Sequence, residues 1–243
     1  MRKLLVDAAH TLVPPKGDRH GPLQPLMLVL TMVTGLVDAV SYLGLGDVFV
    51  ANMTGNVVFL GFALAGAGGL SAPASVVSMT AFLVGAVAGG RFGARFAGHR
   101  GRLLASVTAL QSVPVGAALV TALLADDRAG APVRYTLIVT LGLAMGMQSA
   151  AARRVGVPDL TTTVLTQTLA GLAVDSAPAG GAGGPRQSRR ILSVLAMFLG
   201  ALAGALLLRS GLALALGVVL AVLAAATVVA HRLSATDAEW ARP

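Results

Sequence analysis

Apolar residues fall in six long blocks, Leu26–Leu45, Ala74–Gly90, Leu103–Ala125, Tyr135–Ala152, Ile191–Leu208 and Leu212–Ala230. Each is long enough to cross a hydrocarbon core as a helix, which takes about 17–25 residues. Two further stretches break the pattern. Val48–Gly66 is interrupted by Asn52, Thr54, Gly55 and Asn56, and the fifteen residues Leu160–Val174 contain five threonines and Gln167. The pattern predicts an all-α integral membrane protein with about six transmembrane helices and two short, broken or re-entrant polar helical segments. A single membrane domain then covers residues 26–232, between an N-terminal tail (1–25) and a short C-terminal tail (233–243). Asp7, His10 and two prolines interrupt the N-terminal stretch, so it reads as a polar tail without a signal-peptide core. Leu26–Leu45 is left as the first targeting signal.

Composition supports this reading. Charged residues make up 12% of the chain and mean hydropathy is +0.81, against about 25% charged residues in soluble domains. The net charge of +8 does not point to nucleic acid, because the basic residues lie in the gaps between apolar blocks rather than beside aromatics. With no cysteine, there is no disulfide framework, thiolate metal site or cysteine nucleophile. The partner that remains is the lipid bilayer.

An internal repeat is visible. AFLVGAVAGG at 81–90 matches AMFLGALAGA at 196–205, and DVFVANMTGN at 47–56 matches DLTTTVLTQT at 159–168. The shifts, 115 and 112, are nearly equal. The repeats would run from about 26 to 125 and from about 134 to 231. Gly85/Gly89 and Gly200/Gly204 have the Gly-x-x-x-Gly spacing of close helix packing, within the fold or in a homodimer. If the two polar segments enter and return on one side, fifteen of the eighteen Lys and Arg residues are cytoplasmic. Crossing by all eight segments splits them eleven to seven, so the positive-inside rule favours re-entry with both termini cytoplasmic. Three crossings per half then give an inverted-topology repeat.

The candidate chemistry is polar and sparse. Asp38 lies well inside the first block, where an ionisable group marks a pathway or proton relay unless it is bonded locally to Ser41 or Tyr42. Gln148 stands at the matching depth in the second half. Asp47 and Asp159 precede the polar segments, as N-caps or as ligand or proton sites. Gly55 would permit a helix break. Asn52, Thr54, Asn56, Thr166 and Thr168 would line a site there, or the threonines would bond back to carbonyls four residues earlier. Arg153 and Arg154 anchor topology or draw an anion. His10, His20, His99 and His231 lie outside the blocks, and no metal-ligand spacing or phosphate loop occurs. No enzyme, cofactor or metal is expected.

GLVDAVSYLGLGDVFVANMTGNVVFLG together with GLAMGMQSAAARRVGVPDLTTTVLTQTLAGLA closely resembles the YoaK-like family of uncharacterised bacterial multi-pass membrane proteins. The resemblance runs from about residue 24 to 232. It implies a bacterial inner-membrane location and about six spans, and supplies no substrate or catalytic residue. The chain departs from it at Gln167, where a glycine is expected. The reading is a small secondary transporter or channel-like protein for an unknown solute or ion, with its site between the two broken segments. The alternative is a non-transporting scaffold, accessory subunit or sensor.

Overall fold

A computed structural model describes residues 2–125, 130–160, 165–175, 185–235 and 238–242. Six helices are long and apolar enough to cross a bilayer: α2 (Leu23–Gly44), α4 (Ala72–Ala94), α5 (Arg100–Leu124), α6 (Ala131–Val155), α8 (Pro185–Leu208) and α9 (Leu212–Leu233). They extend the six apolar blocks by a few residues. The two polar stretches contain the short helices α3 (Met53–Leu64) and α7 (Leu165–Val174). At 1.5 Å per residue these reach only about 18 and 15 Å, half a bilayer core. Among the described residues there is no strand. The chain is a multi-pass membrane protein.

Within the N-terminal tail, Arg2–Leu12 forms a helix, α1. Its periodicity outweighs Asp7 and His10, and the prolines at 14 and 15 fall after its end. It packs on α8, where the Ser188 hydroxyl donates to the Leu4 carbonyl at 3.2 Å.

Helices α2 and α6 are central, with 72% and 61% of their apolar windows buried, against 17–33% for the other four. Glycine sets the closest packing. A Cβ on Gly200 would fall on the Met32 carbonyl oxygen, and one on Gly204 would lie 2.6 Å from that of Leu36. A Cβ on Gly85 would fall on the Leu143 carbonyl oxygen, and one on Gly89 would lie 2.7 Å from the Met147 Cα. Residue numbers rise together along both contacts, so α2 and α8 run parallel, as do α4 and α6. The Gly-x-x-x-Gly faces are therefore occupied within the chain. Helices α5 and α9 are antiparallel, with Gly101 near Ser234 and Thr227 bonded to Thr108.

Contacts also sort the loops into two ends. Arg100 donates to the Val155 carbonyl and lies 3.3 Å from His20, while Trp240 packs over Gly21 and Gly101. This basic end gathers Lys16, Arg19, Arg91, Arg95, Arg100, Arg102, Arg153 and Arg154. At the far end Arg134 packs against Gly46, and Leu208 against Gly44. Among the described residues, the cations there are Arg134 and Arg209. Asp18 organises the approach to α2 at the basic end. Burial would raise its pKa, but bonds from the amides of His20 and Gly21 and the Gln24 carboxamide hold it below the ordinary carboxylate value.

Candidate functional site

After α2 ends at the far end, residues 45–52 are non-helical and turn back into the bundle. The turn is made by Gly46 (φ +85) and Asp47 (φ +51), both left-handed. Asp47 is therefore not the helix cap expected of it. Asn52 takes that role, accepting the Gly55 N–H at 3.3 Å at the start of α3. Gly55 is not the break either. It lies in the first turn of α3, where a Cβ would come 2.7 Å from the Phe49 ring. The break belongs to Gly46 and Asp47, because only there must the backbone reverse with positive φ.

Irregular backbone at membrane depth must have its polar groups satisfied by protein or a wet cavity. Asp38 Oδ1 accepts from the Ala51 N–H at 2.9 Å and the Val50 N–H at 3.3 Å. Asn56, fully buried, accepts the Phe49 N–H at 2.9 Å and returns its own N–H to the Phe49 carbonyl at 2.6 Å. Ser78 of α4 donates to the same carbonyl at 2.6 Å. Asp38 lies six residues before the end of α2 and Ser78 six after the start of α4, about 9 Å of helix in each case. Two independent helices thus place the segment at the same depth. It descends to Asp38, and α3 climbs back.

Asp38 also lines an open cleft of about 350 Å³ with Gly35, Ala39, Tyr42, Phe49 and Asn52, bounded on its other side by Met197, Ala201 and Ala205 of α8. Tyr42 and Phe49 stack with centroids 4.9 Å apart, and Phe59 joins them at 5.6 Å from Phe49. Among the described residues, Asp38 is the sole acidic side chain within the six long helices. No Lys, Arg or His there pairs with it, the recorded ion pairs being those of Arg190. Backbone amides, and no counter-charge, offset part of its desolvation.

The second polar segment is built differently. Asp159 has φ +64, as Asp47 has +51, but its Oδ1 accepts from Arg190 Nε at 2.8 Å. Arg190 also pairs with Asp175 just past α7, and Gly171 leaves the space its guanidinium fills. Residues 161–164, where any cap on α7 would form, lie outside the described residues. Thr168 is buried, whereas Thr166, Thr54 and Asn52 are exposed. Helix α3 packs on α4 and α7 on α8. The expected shared lining of Asn52, Thr54, Asn56, Thr166 and Thr168 is not brought together as one wall. The cleft forms instead between the first segment and α8.

Gln148 belongs to another cluster. Gly35 of α2 and Gly146 of α6 each press on a neighbouring carbonyl, and three residues on come Asp38 and Ser149. Gln148 therefore points elsewhere. It accepts from Gln111 of α5 at 2.8 Å and donates to Thr34 at 2.7 Å and the Leu30 carbonyl at 3.0 Å. Sequence reasoning passed over Gln111, Ser78, Arg190 and the Tyr42–Phe49 stack. A glutamine in the middle of an apolar block was the available signal for Gln111.

Comparison with known proteins agrees with this architecture. The chain is 36% identical over 152 residues to UPF0700 transmembrane protein YoaK of Bacillus subtilis (strain 168). That match covers 62% of this chain and 65% of the relative, just under two thirds of its length. No solved structure matches. Residues 26–229, from the first span through the last, match the family described as "Protein of unknown function (DUF1275)", and the chain belongs to that family.

Proposed function

We propose that this is a small secondary transporter or channel-like protein of the cell membrane, with a solute or ion site in the Asp38 cleft. The observation that carries the reading is the combination there: an acidic side chain at membrane depth, without a cationic partner among the described residues, beside a re-entrant segment and a cleft. Intramembrane ionisable groups mark substrate or ion paths by default, and broken segments near them are the transporter pattern.

The helix arrangement supports an inverted repeat of residues 26–125 and 134–231. Pairing α2 with α8 reproduces the pairing of α6 with α4, with glycines at corresponding places and the directions reversed. The left-handed Asp47 and Asp159 mark the start of each polar segment. The concentration of cations at one end supports cytoplasmic termini. In this reading the cleft draws one wall from each half, so rocking of the halves would open and close it.

A scaffold or sensor role is the second reading. It is favoured by the way Asp38, Asn56 and Ser78 spend their bonds on the backbone of residues 49–51. Single cysteines at Ala39, Asn52, Ala201 and Ala205, in a chain that has none, distinguish the two. A membrane-impermeant thiol reagent would be applied to each face of oriented vesicles. Transport predicts that the same positions label from both faces. Labelling from neither face supports the scaffold reading and ends the transport one.

A further inference from the structure

The lining of the Asp38 cleft contains more chemical information than a generic polar site would, and the following rests on the reading of that cleft as a binding site. An inorganic cation would need several oxygen ligands around it. Here one carboxyl group faces a lining otherwise made of glycine, alanine, leucine and methionine, with Tyr42, Phe49 and Asn52. One carboxyl oxygen is already engaged by two amides, which orients the group. Aromatic faces attract positive charge through the ring quadrupole, most strongly when water is excluded. The volume of about 350 Å³ lies at the lower end of small-molecule sites, which run from about 300 to 1,000 Å³. Ala39, Ala201 and Ala205 leave that space by their small size, beside the close contact of Gly35 with the Met197 carbonyl.

We propose that the cleft binds an organic monocation, an apolar body carrying one ammonium or similarly charged centre. The charge lies at Asp38 and the Tyr42–Phe49 stack, and the body lies along Ala201 and Ala205 of α8. Carboxylate and rings supply charge selectivity, and the small-residue wall supplies tolerance of shape. The two walls come from α2 with its following segment and from α8, so binding also bridges the parallel helix pair.

The test is equilibrium dialysis of the full chain in lipid nanodiscs against labelled tetraphenylphosphonium, with tetraphenylborate as an anion of the same shape. Saturable uptake of the phosphonium, absent for the borate, is expected. Asp38→Asn keeps an oxygen for the Val50 and Ala51 amides and removes the charge, so the fold is retained while affinity falls about tenfold or more. Tyr42→Leu lowers it by about threefold. Phosphonium binding unchanged in Asp38→Asn, equal saturable uptake of the borate, or no saturable phosphonium binding overturns the proposal. Two-sided cysteine labelling without phosphonium binding removes the ligand class and leaves transport standing. Phosphonium binding without two-sided labelling keeps the site and removes transport.

Discussion

Asn56→Ala tests whether the re-entrant segment is held by side chains or merely rests in the bundle. The carboxamide makes two bonds to Phe49 and a third, at 3.2 Å, to Ser78. Removing it leaves the Phe49 N–H without its partner where the fully buried Asn56 side chain stood, while the Phe49 carbonyl keeps Ser78. An orphaned buried donor costs about 1–3 kcal/mol, and each additional lost bond about 1 kcal/mol. A local destabilisation of about 2–3 kcal/mol follows. It is best read by a thiol at Ala51, which is buried and bonded to Asp38. In an Ala51→Cys background, slow modification by a small permeant reagent reports opening of the segment. Adding Asn56→Ala should raise the modification rate roughly 30- to 150-fold, since each 1.4 kcal/mol is tenfold. Thr54→Ala, two residues away and exposed, should leave it within about twofold. A rate within threefold of the parent for Asn56→Ala, or equal rates for the two variants, would refute the clamp.

Two further outcomes follow from packing and charge. Gly200→Ala drives a methyl group into the Met32 carbonyl and should cost about 2 kcal/mol in detergent melts. Gly61→Ala, with nothing within 4 Å, should stabilise by up to about 1 kcal/mol through helix propensity, and matching effects of the two would contradict the glycine argument. Burial, then the charges of Arg100 and Arg189, hold His20 below the usual imidazole value against a partial offset from Asp18. The unfolded chain therefore takes up the proton first, so stability is full above about pH 6.5 and declines as pH falls below it. His20→Gln should melt with less dependence on pH between 7.5 and 5, and identical pH profiles would count against the assignment.

The spans were legible because burial in lipid leaves long uninterrupted apolar runs, and helix ends moved by only a few residues. The return of the first polar segment was legible from its interruption at Asn52, Thr54, Gly55 and Asn56 together with the distribution of Lys and Arg. The separate roles of Asn52 and Asn56 lay beyond it, since capping by Asn52 and clamping by Asn56 depend on where the Phe49 backbone runs. Asp47 looked like a cap because cap preference is local, whereas its left-handed conformation is imposed by the return into the bundle. Gly55 looked like a break because sequence does not distinguish glycine used for bending from glycine used to admit a ring. Gln148 and Asp38 looked equivalent from their depth, and a rotation of one residue on the helix separated them. The α8 wall of the cleft could not be read at all, because it lies about 160 residues away in the chain.

That separation bears on biogenesis. The face of α2 centred on Gly35 is covered by α8, from Met197 onward. At about 5–20 residues per second, the ribosome takes roughly 10–30 s to deliver the covering helix after the first has been made. Helix α4 likewise waits for α6. Neither half can complete its own packing, so a chain truncated after α5 would present two uncovered glycine faces to lipid, to quality-control proteases, or to the matching faces of another nascent chain. Synthesis to the end of α8 is the point at which both glycine faces are covered, with α9 still to dock on α5.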